Sequence, residues 1–235
     1  MKVLGVVPAR GGSVGIPRKN LRPLLGRPLL WYTAECARRA RSMTRVVLTT
    51  DDEEIASVGR SAGLEVPFLR PAELARDDTP SLPVVQHAVR FLEEEGDLFD
   101  AVCLLQPTSP LREPSDVDRA VALLTRTGAD SVISFVEVGE KHPARMKIVE
   151  PDGRVSDPPF AEVTEGMRRQ DLPKLYLRDG SIYLTRREVL MEKGSFKGDD
   201  CRALLVPVER SVNVDTPWDL FLAEQALRHR EKHPD

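Results

Sequence analysis

Short apolar runs alternate with amphipathic stretches along most of the chain. The first run, Val3-Leu4-Gly5-Val6-Val7, is brief and rich in Val and Leu. That pattern predicts a strand buried on both faces. Arg45 to Thr50, Ala101 to Leu105 and Ser131 to Val136 repeat it. Helical spacings lie between them. One runs from Leu29 to Ala37 behind Pro28, which suits a first helical turn. A second runs to Gly63, with Asp51 as its expected cap and Glu54 completing a capping box. A third opens at Thr79-Pro80 and carries Val84, Val85, Ala88, Val89 and Leu92 on one face. Ser115 and Asp118 are the expected cap of a fourth, ending near Thr127. Glu65 to Leu69 reads as a short edge strand because of Pro67, and 70–79 as a polar loop. Strands alternating with helices predict an α/β fold with a mostly parallel sheet.

The pattern weakens between residues 137 and 175. Pro143, Pro151, Pro158, Pro159 and Pro173 interrupt it. Pro151-Asp152-Gly153-Arg154 has turn chemistry, so Lys147 to Ser156 is an expected hairpin. Residues 137–175 are therefore expected to form an insertion in one domain whose core is 1–136 and 176–235. Strand-like runs return at 181–184 and 203–206. Thr216-Pro217-Trp218-Asp219 then reads as a helix start, with Thr as cap, Pro first and Asp third. Leu220, Phe221, Ala223 and Leu227 are its expected apolar stripe, and the tail from His229 is expected to fray.

Composition changes this picture little. The 235 residues are 41% hydrophobic and 30% charged, as in soluble globular domains. A net charge of -3 indicates no general attraction to nucleic acid. Basic clusters at 10–22 and 168–178 stand out against it. No apolar run approaches membrane-spanning length and no secretory leader is evident, so a cytoplasmic protein is expected. Three scattered cysteines without a C-x-x-C pair predict neither disulfide nor zinc site.

Candidate chemistry concentrates in Pro8-Ala9-Arg10-Gly11-Gly12-Ser13-Val14-Gly15-Ile16-Pro17-Arg18-Lys19-Asn20. Three glycines allow close approach of backbone N–H groups, and Arg10, Arg18 and Lys19 add fixed positive charge. An oligophosphate fits. The spacing is neither that of a P-loop nor that of a dinucleotide fingerprint. In open α/β sheets ligands bind beyond the carboxyl ends of strands. Arg10, Asp51 and Gln106 to Ser109 all stand at such expected ends. A side-chain amide such as that of Gln106 offers both donor and acceptor, which suits a pyrimidine edge.

The stretch from Pro8 to Leu21 resembles the signature of the acylneuraminate cytidylyltransferases, which make CMP-sialic acid and its relatives from CTP. Leu104 to Arg112, Arg168 to Tyr183 and Ser211 to Asp219 resemble the family's further signatures, in the family's order. The resemblance implies a Rossmann-like three-layer nucleotide-diphospho-sugar transferase fold with a small dimerisation insertion. It implies nucleotide contacts from Ala9, Arg10, Gly11, Gly12, Ser13, Lys19, Asn20, Gln106 and Pro107. It implies acid contacts from Gln106, Arg169, Gln170 and Tyr176, with Lys141 or Arg145 as further candidates. Magnesium is implied on Asp215 and Asn213, since alternate strand residues face one side. Arg10, Lys19 and Asp215 are the implied catalytic set, CTP and a sugar acid the substrates, and a homodimer the assembly. Neither nucleic acid nor membrane is an implied partner. Three positions depart from the family pattern: Val14 replaces a Lys, Asp179 an Asn, and Asn213 an Asp. They leave open another acceptor acid (Kdo, legionaminate, pseudaminate or a phosphonate), or a nucleotide-binding homologue with little activity.

Overall fold

The computed structural model describes every residue except Val14, Glu165, Pro234 and Asp235. The departure at Val14 and the last two residues of the tail thus lie outside the described residues. The first apolar run becomes β1 (Val3–Pro8), buried along nearly its whole length. It lies parallel to β4 (Arg45–Thr49) on one side and β5 (Ala101–Leu104) on the other. β6 (Ser131–Glu137) and β10 (Cys201–Leu205) are parallel to each other. Between these two and the first three strands runs β9 (Tyr176–Arg186), antiparallel to both β5 and β6. The six-stranded sheet has the order β10-β6-β9-β5-β1-β4.

Alternation along β1 divides the core into layers. Val3 and Val7 pack with Leu30 and Ala34 of α1 (Leu29–Arg39), Ile55 of α2 (Glu53–Ser61) and Val117 and Leu124 of α4 (Pro114–Thr127). Leu4 and Val6 pack on the opposite face with Val85, Val89 and Leu92 of α3 (Ser81–Glu94) and Leu190 of α5 (Arg187–Met191). A third cluster matters most for function. Ile16 from the glycine loop, Leu24 of β2 (Pro23–Leu24), Leu29, Leu111, Val214, and Ala223 and Leu227 of α6 (Pro217–Lys232) are buried together. Burial of each large aliphatic side chain contributes roughly 1.5–3 kcal/mol. This cluster binds the carboxyl-terminal helix to the amino-terminal loop. Among the described residues β2 pairs only with β3 (Arg27–Pro28), and β7 (Ile148–Val149) only with β8 (Val155–Ser156). The latter ribbon is the hairpin expected at Lys147 to Ser156.

Several local expectations shift. Asp52, not Asp51, caps α2, accepting from the Ile55 amide at 3.0 Å. Asp51 is thereby released to accept from the Gly11 amide at 3.0 Å. Glu54 does not close a capping box; it pairs with Arg18. Glu113 caps α4 in a capping box with Asp116, whereas Asp118 accepts from the amide and hydroxyl of Ser42. The stretch from Glu65 to Leu69 makes two isolated parallel bridges, Val47 to Glu65 and Thr50 to Leu69, rather than a strand. The expected strand at 181–184 extends to 11 residues. Thr216 and Asp219 form the capping box foreseen for α6, but Phe221 of its stripe is 47% exposed. All three cysteines are free, and burial pushes the thiols of Cys36 and Cys103 up to about 11 and about 12. Among the described residues no helix is long and apolar enough to cross a membrane.

Candidate active site

A cavity of about 430 Å³ opens beyond the carboxyl ends of β1 and β5. Pro8, Arg10, Ser13, Gly15, Lys19 and Asn20 enter its wall from the first segment, Gln106, Pro107 and Thr108 from the turn after β5, and Asp215 from the approach to α6. The first and last of these residues, Pro8 and Asp215, stand at opposite ends of the sequence. The cluster around Ile16, Val214 and Leu227 brings them together. Gly15 is part of the reason the approach succeeds. A Cβ there would lie 2.2 Å from the Asp215 carbonyl oxygen, so no larger residue fits beside that backbone.

Charge in the cavity is paired across elements. Lys19 Nζ donates to Asp215 Oδ1 at 2.8 Å, and the Arg10 guanidinium pairs with Asp77. The Asp215 side chain is 71% exposed, so its carboxylate is accessible to a ligand as well as to Lys19. Arg18 turns away from the cavity to Asp52 and Glu54. Hydrogen bonds from Arg18 hold the Asp52 carboxyl below its ordinary value. Asn20 is buried and donates its amide to the Arg10 carbonyl at 3.1 Å, so it supports the loop as well as lining the cavity. Ala9 is buried in the core, its amide bonded to the Thr49 carbonyl, and is not in the cavity wall. The Gly11 amide is taken by Asp51. Gly12 faces the Arg10–Asp77 pair.

Two arginines escaped the sequence reading. Arg70 is buried in the same wall, with its guanidinium on the Thr49 hydroxyl and carbonyl. Burial pulls it down to about 10, with Asp51 opposing and Arg10 adding to the fall, so it is cationic at neutral pH. It stands in a stretch that reads as polar loop, and only its place after a bridge to β4 distinguishes it. Arg112, the last residue of the second signature, is buried and donates to the carbonyls of Gln106 and Ser181 at 2.6 Å each. It props the Gln106–Pro107 turn from below. Ser81 and Val84 bring the first turn of α3 to the wall, and a helix start carries partial positive charge.

A second hollow of about 330 Å³ adjoins the first, sharing Gln106, Thr108 and Asp215 and adding Arg178, Gly180, Tyr183 and Asn213. Arg169 and Gln170 line neither. They border a separate hollow of about 210 Å³ in the insertion, with Glu137, His142 and Lys174. Tyr176 is partly exposed at the start of β9 and lines none of these three, nor do Lys141 and Arg145. Within one chain the expected acid contacts are thus split, with Gln106 on one side and Arg169 and Gln170 on the other.

Among the described residues no three His, Cys, Asp or Glu side chains cluster as a metal site. Asp215 nonetheless suits magnesium, which needs only one or two carboxylates when phosphates supply other oxygens. Asn213 suits it less well. Its Oδ1 accepts from the Ser109 hydroxyl and its Nδ2 donates to the Asp179 carbonyl.

The chain is similar to known proteins along most of its length. The family model described as "Cytidylyltransferase" matches residues 4–197. The CMP-N,N'-diacetyllegionaminic acid synthase of Legionella pneumophila is 32% identical over 97% of both chains. The N-acylneuraminate cytidylyltransferase A of Danio rerio is 34% identical over 96% of this chain and 50% of its own length. The structure of CMP:2-keto-3-deoxy-manno-octonic acid synthetase complexed with CTP superposes with a TM-score of 0.73, covering 98% of this chain and 100% of that one at 18% identity. The α/β sheet with its one antiparallel inner strand is therefore a nucleotidyltransferase fold, and the chain belongs to the acylneuraminate cytidylyltransferase family.

Proposed function

We propose that the protein transfers the cytidylyl group of CTP to a 2-keto-3-deoxy sugar acid of the N-acylneuraminate type. One observation carries the reading: Arg10, Lys19, Arg70, Gln106 and Asp215 share the wall of a single cavity. In this reading the anomeric oxygen of the acid forms a bond to the α-phosphorus. The bond from that phosphorus to the bridging oxygen breaks, pyrophosphate leaves with the electron pair, and the hydroxyl proton passes to solvent. Such chemistry requires alignment and charge neutralisation rather than a covalent intermediate. Arg10, Lys19 and Arg70 neutralise the phosphates, and Ser13 borders them. Gln106 reads the cytosine edge, with Pro107 against the base and Asn20 fixing the loop beneath the ribose. Asp215 is the residue that would hold a magnesium ion beside the phosphates, and the ion's contribution is further neutralisation of their charge.

The acid's carboxylate is assigned to Arg169, Gln170 and Tyr176 of a neighbouring copy. The insertion supports a homodimer: Met146, Ile148, Val149, Val155, Phe160 and Val163 are all exposed on it, and large apolar side chains left in water in one segment suit an interaction surface. A legionaminate-type acceptor is the second reading. It is favoured by the Legionella relative, which matches this chain along almost its entire length.

Pyrophosphate release with CTP, magnesium and a panel of sugar acids tests the proposal. The expected result is turnover with at least one acid of the sialate or legionaminate type. Tight CTP binding with no turnover on any acid would mean a nucleotide-binding homologue instead.

A further inference from the structure

We propose that Asn213 is a positioning residue for the base-reading turn and not a ligand of the cation. The inference rests on the reading of the cavity as a CTP site. The Asp179 carbonyl can only accept, so the NH2 of the Asn213 amide must face it, and Nδ2 donates there. The amide's other end is fixed in turn, because Oδ1 accepts from the Ser109 hydroxyl at 2.8 Å. One residue later the Val214 amide donates to the Thr108 carbonyl at 2.7 Å. A single side chain therefore joins three segments: the turn after β5, β9 at Asp179, and the approach to α6.

Gly180 shows what that junction sets. Its φ of +80° favours glycine. A Cβ there would lie 3.0 Å from Asn213 Oδ1 and 3.4 Å from Gln106 Oε1. Both amides rest against the same glycine, so the seat of Gln106 depends on Asn213 staying in place.

The chain's own substitutions fit this role. Asp179 is buried, its Oδ1 accepting from the amide and hydroxyl of Ser181. A carboxylate at position 213 would put oxygen lone pairs against the Asp179 carbonyl and leave that carbonyl without its donor. An amide supplies the donor there and an acceptor for Ser109. Asp215 carries an exposed carboxylate two residues on, so holding the turn and holding the ion fall to different residues.

The test uses Asn213→Ala and Ser109→Ala in the full chain, with Asp215→Asn as the reference for loss of the ion. Calorimetry gives the affinities for CTP and UTP, and electron paramagnetic resonance gives Mn2+ affinity with CTP present. Wild type must bind CTP more tightly than UTP; if it does not, the parent reading fails rather than this one. The expected result is that Asn213→Ala and Ser109→Ala each lower the CTP-over-UTP preference by about fivefold or more, the scale of one misplaced hydrogen bond. Mn2+ affinity in Asn213→Ala should stay within about threefold of wild type, while Asp215→Asn loses about tenfold or more. Full base preference in either variant would overturn the proposal. So would a loss of Mn2+ affinity in Asn213→Ala as large as that in Asp215→Asn. If Asn213→Ala does not fold, Ser109→Ala decides.

Discussion

The cavity at the strand ends and the insertion at 137–175 are built in opposite ways. Polar residues of the cavity rest on buried supports: Asn20, Arg70 and Arg112 are each 6% exposed and hydrogen-bonded to backbone of another segment or turn. The insertion turns apolar residues outward, and many of its ion pairs are local, such as Arg168 with Asp171 and Arg154 with Asp152. The contrast separates what one chain can build from what needs two. On the reading proposed above, the nucleotide side is assembled by a single chain around its own core. The acid side, on the reading above, is completed only by a neighbour.

The largest expected effect falls on the nucleotide side. Replacing Lys19 with Ala should lower kcat/KM for CTP by about 10²–10³, the usual loss when one charge-stabilising donor is removed. Pyrophosphate release measures it, and a loss under tenfold would remove Lys19 from the phosphate site. A smaller and more selective effect is expected in the insertion. Arg169→Ala should raise the KM for the acid by about tenfold, roughly one charge-assisted contact, and leave the Kd for CTP unchanged. If CTP binding weakens equally, the division between the two regions is wrong.

Two stability effects sharpen the same contrast. Thr216→Ala removes the cap of α6, the helix whose burial holds Asp215 beside the loop. A cost of about 1 kcal/mol is expected, lowering Tm by about 2–4 °C for a chain of this size. Asp52→Asn keeps a capping oxygen but loses the ion pair with Arg18. The folded carboxyl titrates below its ordinary value because Arg18 bonds it. Its contribution is therefore complete above the unfolded value of about 3.9 and disappears as pH falls through the lower folded value. Wild type should exceed Asp52→Asn in stability by up to about 1 kcal/mol at pH 7. The gap should close on acidification below about pH 4. Denaturant melts at three pH values check it, and a gap independent of pH would contradict the assignment.

The layers were readable from sequence because apolar periodicity reports burial directly. Val3 to Val7 and the face from Val84 to Leu92 fall where their pattern says. Cap positions were less legible, because adjacent acids compete. Asp51 and Asp52 are equivalent on paper, and only the Gly11 amide and Arg18, both distant in sequence, divide their roles. The direction of β9 was hidden for a related reason, since a buried apolar strand looks the same whichever way it runs. At the site, Arg10, Lys19, Gln106 and Asp215 stood out as charge or amide at strand ends and in signature stretches. Arg70 and Arg112 did not, because an arginine's burial depends on carbonyl partners that no local pattern announces. Asn213 reads on sequence as a weakened metal ligand. Its two hydrogen bonds tell of another use, and they come from segments more than thirty residues away.

A crystal of the protein soaked with CTP and magnesium would decide where the nucleotide sits. The triphosphate is expected in the cavity of about 430 Å³, between Arg10 and Lys19, with the cation on Asp215 and cytosine against Gln106. A nucleotide bound elsewhere, or a triphosphate out of reach of both Lys19 and Asp215, would contradict it.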